Sequence, residues 1–237
     1  MPGKPLILFD MDGTLITLKE KPSPRRVSVD SAPSISFRQQ MKQIASFHGI
    51  PLEEMNHTNR MNRIWNISWV YADSHGFDED KIKALMRAID EPFKQSVSAY
   101  HDLCMLMPDT LETLEAFQKD GYTLGLVTNA SRGAYERWAN NPEYSMFSKY
   151  FQYSITRDDC GLIKPSPEPI LKILDLFGRT DFVFIGDSDF DSQATKEAGG
   201  VFVLINTREY SNEVIDEMCP DAVVNCLKEF RIIIEEL

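Results

Sequence analysis

The apolar and polar positions of the chain alternate in two distinct ways. Leu6-Ile7-Leu8-Phe9 is a short unbroken apolar run that stops at Asp10-Met11-Asp12-Gly13. A run of this length closed by turn residues reads as a buried strand that empties into a loop. Beyond Pro108 such runs recur, separated by amphipathic stretches. The spacing predicts helices over 110–119, 132–139, 168–177 and 191–198, and a terminal one over 227–236. Strands are expected at 122–127, 151–155, 182–185 and 201–205, with a weaker one at 222–224. Apolar strands separated by helices form parallel βαβ units. The predicted fold class is therefore α/β, a doubly wound parallel sheet with helices on both faces.

Between the first strand and the rest, from about Ser36 to Tyr100, the pattern is purely helical. Phe37, Met41, Ile44 and Phe47 share one face, as do Met61, Ile64, Trp65 and Trp69, and then Ile82, Leu85, Met86 and Ile89. Gly49-Ile50-Pro51 and His75-Gly76-Phe77-Asp78 separate these stretches. Trp65 and Trp69 are one turn apart, which favours a place in a helical core over a pocket lining. The chain thus reads as a sheet domain of residues 1–15 and 101–237, interrupted by an all-helical insert at 16–100. Within the insert, Lys19 to Ser36 is rich in Ser, charge and prolines (22, 24 and 33), the signature of a linker or exposed loop.

Composition narrows the classes. With 237 residues, 43% apolar and 26% charged, the chain can bury a sizeable core without disulfides or structural metal. Its net charge of −11 argues against a nucleic-acid or anionic-membrane partner, both of which need a basic surface. Cys104, Cys160, Cys219 and Cys226 are irregularly spaced and form no C-x-x-C pair, so reduced thiols in a cytoplasmic protein are expected. The apolar stretch at 1–9 is too short for a secretory leader, and apolar runs such as 201–205 are far below the roughly 20 residues that span a bilayer. A monomer or homodimer is expected.

The candidate chemistry lies where the strands end, since open α/β sheets bind ligands at their carboxyl edge. The first strand is followed by Asp10-Met11-Asp12-Gly13-Thr14, the second by Thr128-Asn129, and the fourth by Gly186-Asp187-Ser188-Asp189-Phe190-Asp191. Lys164 lies beyond the third. Asp10 and Asp12, two apart, point to one side while the chain stays extended. Neighbouring carboxylates repel unless a cation sits between them or one is protonated, so one can serve as nucleophile and the other as general acid. Gly13 permits a sharp turn. Asp187 and Asp191 add hard oxygen donors that suit Mg²⁺ better than zinc. Thr128, Asn129 and Lys164 can each donate to phosphoryl oxygens.

Singly, each residue has a plainer explanation: a turn for Asp-x-Asp, a helix cap for Thr128, a solvated charge for Lys164. Together they do not. Asp-x-Asp-Gly-Thr fixes four residue types, and at about one in twenty each a chance match in such a chain is on the order of one in a thousand.

In order and placement these motifs resemble the haloacid dehalogenase superfamily, specifically its phosphoglycolate phosphatase-like members with a helical cap inserted after the first strand. The resemblance spans nearly the whole chain, through Asp10 to Leu15, Val127 to Asn129, Lys164-Pro165, Gly186 to Asp191 and Ala198-Gly199. It implies that Asp10 attacks phosphorus and forms an aspartyl-phosphate, while Asp12 protonates the leaving oxygen and later activates water. It further implies Mg²⁺ held by the Asp10 carboxylate, the Asp12 backbone carbonyl and Asp187, with Asp191 supporting, and a phosphoryl group held by Thr128, Asn129 and Lys164. The family's dehalogenases lack an acid at the position of Asp12, so its presence points to phosphate esters. A closing cap implies a small phosphorylated metabolite, such as a phosphoglycolate-like acid or a sugar phosphate. Two alternatives share the motifs: a phosphomutase, and a non-catalytic phosphometabolite-binding protein.

Overall fold

The structure is a computed structural model that describes residues 4–19, 33–144 and 146–237. Most of the linker expected at 19–36 lies outside the described residues. Its end is helical instead, because α1 (Pro33–Phe47) begins at Pro33. Proline suits a first helical turn, where its missing N–H has no intrahelical partner to lose.

Contacts divide the chain into two compact units, Met1–Thr17 with Met105–Cys160 and Lys164–Leu237, and Leu18–Cys104 with Gly161–Ile163. The first is built on six parallel strands. After β1 (Leu6–Phe9) the chain passes through β2 (Ile16–Leu18), and it returns through β3 (Cys104–Leu106), the two pairing in a small separate sheet. The apolar pattern does not foretell β2 and β3, since three residues are too few to show a period. The main sheet continues with β4 (Thr123–Val127), β5 (Tyr153–Ile155), β6 (Phe182–Gly186), β7 (Val201–Ile205) and β8 (Ala222–Val224). Their order is β5-β4-β1-β6-β7-β8, so the winding reverses at β1. Leu6 pairs with Thr123 on one side and Phe182 on the other, and the register runs on to Phe9 against Leu126 and Ile185.

Burial on both faces explains why β1 is apolar at every position. Leu6 and Leu8 pack into a cluster with Ile170 and Ile173 of α6 (Glu168–Phe177) and Ala194 of α7 (Asp189–Glu197). Phe9 meets Phe117 of α4 (Thr110–Lys119), Phe151, and Phe230 of α9 (Leu227–Ile233), with ring centroids 6.2, 5.9 and 6.1 Å away. Each such side chain contributes roughly 1.5–3 kcal/mol by leaving water. Helix α5 (Arg132–Ala139) follows β4, and α8 (Asn212–Met218), a short polar helix with no periodic signal, follows β7. No helix among the described residues is long and apolar enough to cross a membrane.

The second unit packs α1, α2 (Met61–Ser74) and α3 (Glu79–His101) around Met41, Ile64, Trp65, Leu85 and Ile89. Trp65 is core, edge-on to Phe93 at 6.2 Å, and Trp69 packs partly buried against the same cluster. The peptide 161–163 belongs here because the helices hold it. Ile163 is buried in their core, and Trp65 Nε1 donates to Gly161 O at 3.0 Å. The Asn66 amide donates to Ile163 O (2.7 Å) and accepts from Ile163 N (2.9 Å).

Candidate active site

The site lies at the carboxyl edge of the sheet where the winding reverses, the usual crevice of this architecture. Asp10 continues β1, its N–H bonded to Ile185 O at 3.0 Å. The chain then turns tightly, with Gly13 N donating to Ile16 O (2.8 Å) and Leu15 N to Met11 O (2.9 Å). Gly13 sits at φ +88°, and a Cβ there would run into the Asp187 carboxylate. Glycine is therefore required both by conformation and by space.

At the end of β6, Asp187 follows Gly186, and Ser188 caps α7. Ser188 N and Oγ donate to Asp191 Oδ2 at 3.1 and 2.5 Å, a reciprocal cap that fixes the Asp191 carboxylate. Its other oxygen faces Lys164. Lys164 Nζ donates to Asp191 Oδ1 (2.6 Å), Asp10 Oδ1 (2.7 Å) and Val127 O (2.9 Å), which uses all three ammonium hydrogens. Lys164, Asp187 and Asp191 are each only 2% exposed, so these charges are almost fully desolvated.

Asp10, Asp187 and Asp191 each offer a carboxylate oxygen within 4.8 Å of the others, a trio able to hold a metal ion. Asp12 stands close enough for its charge to act on Asp10. Burial, reinforced by Asp191, Asp187 and Asp12, pushes the Asp10 carboxyl well above the usual range despite the opposing Lys164 ammonium. Burial likewise raises Asp187, to about 6, against the pull of Arg208. For Lys164 burial acts downward, but Asp10 and Asp191 together outweigh it and hold the ammonium above its ordinary value. Among the described residues two side-chain cations, Lys164 and Arg208, face three clustered carboxylates, and a divalent cation could share the same oxygens.

The structure brings together Asp10, Lys164, Asp187 and Asp191 by direct or near contact. Thr128 directly follows Val127, whose carbonyl accepts from Lys164, and its hydroxyl accepts from Ala130 N at 3.0 Å. Asn129 differs from a simple phosphoryl donor. Its amide is committed to Lys164, donating to Lys164 O (2.8 Å) and accepting from Lys164 N (3.0 Å). One residue here has no counterpart among the sequence candidates. Arg208, just past β7, donates from Nε to Asp187 Oδ2 at 2.5 Å. Its position just beyond the carboxyl end of β7 is the only sequence signal for it, and a lone arginine there reads as a solvated charge.

Comparison with known proteins agrees with this fold. The haloacid dehalogenase-like hydrolase family matches residues 4–199. Pyrophosphatase PpaX of Bacillus mycoides is 24% identical, covering 98% of this chain and 97% of its own. Phosphoglycolate phosphatase of Aliivibrio fischeri is 27% identical, covering 98% and 96%. A solved hydrolase from Pseudomonas syringae superposes with a TM-score of 0.64 at 16% identity, over 99% of each chain, and speaks to the fold alone. The chain belongs to the haloacid dehalogenase-like hydrolase family. Within it, the protein is an enzyme of the phosphatase kind.

Proposed function

We propose that the protein is a Mg²⁺-dependent phosphatase that hydrolyses small phosphomonoester metabolites through a phosphoryl group carried on Asp10. The observation that carries this reading is the buried set of Asp10, Lys164, Asp187 and Asp191 at the point where the sheet reverses. The donors fit the metal: hard carboxylate oxygens, clustered and desolvated. Asp10 and Asp187 would hold Mg²⁺, together with the Asp12 backbone carbonyl, and Asp191 would support them. When bound, Mg²⁺ offsets charge on the phosphoryl oxygens and the nucleophile.

The chain's own residues perform the rest. An Asp10 carboxylate oxygen forms a bond to phosphorus as the ester P–O bond breaks. Asp12 gives its proton to the departing alkoxide, then takes one from the water that attacks the Asp10-bound phosphorus, releasing phosphate and restoring Asp10. Lys164 fixes Asp10 in position and offsets negative charge, and Asn129 fixes the Lys164 backbone. Thr128 completes the phosphoryl cradle. Such positioning with charge neutralisation is most of what phosphoryl transfer requires.

The helical unit serves as a cap that excludes bulk water and limits the leaving group to small molecules, phosphoglycolate-like acids or sugar phosphates. The relatives' names include a phosphoglycolate phosphatase, which supports this substrate class. None of the four cysteines forms a disulfide, which suits action in the reducing cytoplasm.

The test is phosphate release from a panel of small phosphomonoesters in ¹⁸O-labelled water, with Mg²⁺ or with chelator, for the wild type and Asp10→Asn. The reading expects metal-dependent release, one solvent oxygen per phosphate, and no turnover by the variant. Turnover surviving Asp10→Asn would remove Asp10 as nucleophile, and phosphoryl transfer to a sugar without solvent oxygen would make the enzyme a mutase.

A further inference from the structure

Among the described residues two cations reach the carboxylate cluster, and they are held in very different ways. The Lys164 side chain is 2% exposed, with each ammonium hydrogen bonded inside the protein. Displacing it would strand Asp10 and Asp191. The Arg208 side chain is 50% exposed, while the Asp187 side chain it pairs with is 2% exposed. Water can therefore take over the guanidinium when Asp187 is withdrawn from it, at little cost in desolvation. The backbone beneath is anchored, since Thr207 Oγ1 donates to Gly13 O at 2.7 Å and ties this loop to the turn after β1. Arg208 is thus held at the cluster by its main chain, whatever its side chain contacts.

We infer that Arg208 is an exchangeable counter-ion of Asp187, which neutralises this carboxylate in the metal-free enzyme and yields it to the incoming divalent cation. The inference rests on the Mg²⁺ reading above and goes beyond it by assigning a residue that sets the metal requirement. A cation arriving at Asp187 must share the carboxylate with a guanidinium already on it, and the two repel. Arg208 therefore raises the Mg²⁺ concentration at which the enzyme is half loaded. Lys164, locked in place, does not take part in the exchange.

Calorimetric titration of the whole protein with Mg²⁺ alone tests this, comparing wild type, Arg208→Ala and Arg208→Lys. Loss of the competing charge at a half-exposed site should tighten the Kd of Arg208→Ala about threefold to tenfold. Arg208→Lys keeps the charge and should stay within about twofold of wild type. Thermal unfolding gives a second readout. In chelator Arg208→Ala should melt below wild type, and its gain on adding Mg²⁺ should be the larger. An unchanged or weaker Kd for Arg208→Ala overturns the inference while leaving Mg²⁺ as the cofactor. If neither protein binds Mg²⁺ and turnover persists in chelator, the metal reading fails and takes the inference with it.

Discussion

Replacing Lys164 by Met keeps most of the side-chain volume and removes only the ammonium, which makes it the sharpest probe of the buried cluster. Three hydrogen bonds disappear, to Asp10, Asp191 and Val127 O. Two carboxylates lose their shared partner in a region where Lys164 and Asp191 are 2% exposed and Asp10 is 6% exposed. Removing one member of a buried ion pair costs about 3–5 kcal/mol. The cost does not double for the second carboxylate, because Asp191 keeps its bonds from Ser188 and Asp10 can take up a proton. For a chain of this size each kcal/mol moves Tm by about 2–4 °C, so Lys164→Met should melt about 6–20 °C below wild type in chelator. Mg²⁺ should recover part of the loss by supplying positive charge to the same oxygens. Lowering the pH from 8 to 5.5 should also narrow the gap, since the Asp10 carboxyl, already raised by burial, can take up a proton once Lys164 is gone. Circular dichroism melts in chelator, in Mg²⁺ and across this pH range give the comparison. A metal-free Tm within about 2 °C of wild type at pH 8 would refute the claim that these charges depend on Lys164.

Asp10→Asn should act in the opposite direction on stability: it removes one of several mutually repelling carboxylates, so the metal-free variant should melt no lower than wild type while turnover is lost, as melting and phosphate-release assays would reveal. Gly13→Ala should cost about 2–4 kcal/mol, from a strained positive φ together with collision against Asp187, and urea titration reads this directly. The pH dependence follows from Asp187, whose folded value of about 6 lies above the ordinary 3.8. Between about pH 4 and 6 the folded metal-free protein holds the extra proton, so this group makes stability fall as pH rises, by roughly 2–3 kcal/mol in all. Saturating Mg²⁺ should flatten that slope, and Tm measured at pH 5 and pH 7 with and without metal would show it; an unaltered slope would exclude Asp187 as its source. Phe9→Ala should destabilise by about 3–5 kcal/mol through the aromatic cluster on that face, again read by urea titration.

The strands that carry the site were legible because they are buried on both faces. β1, β6 and β7 are unbroken apolar runs for that reason, and their ends could be inspected for chemistry. α6 was legible down to its stop, since Gly178 adopts the left-handed conformation that ends it. β2, β3 and α8 were not, being too short to establish a period. Among site residues, Asp10, Lys164, Asp187 and Asp191 could be grouped because sheet topology alone brings strand ends together. Partnerships formed across long chain separations left no local trace. Asn129 meets Lys164 35 positions away, and Asn66 meets Ile163 97 positions away, yet neither asparagine has a neighbour that signals it. Arg208 lies in a polar loop and is half exposed, so in sequence it looks like an ordinary solvated charge.

The tripeptide 161–163 has a consequence for how such an enzyme can be recombined. Grafting the helices of a relative onto this sheet invites cuts at the two places where the chain leaves and re-enters it, near 18 and 104. A chimera joined only there would inherit a foreign α2 beside the native Gly161-Leu162-Ile163. The donor's residue at 65 would have to reach Gly161 O, its residue at 66 would have to pair with the Ile163 backbone, and its core would have to admit Ile163. Gly161 sets a further condition, because the Trp69 ring occupies the space a side chain there would need. The inherited module is thus discontinuous, two stretches of sequence separated by more than fifty residues of sheet domain, and exchange should succeed only when both are carried across together.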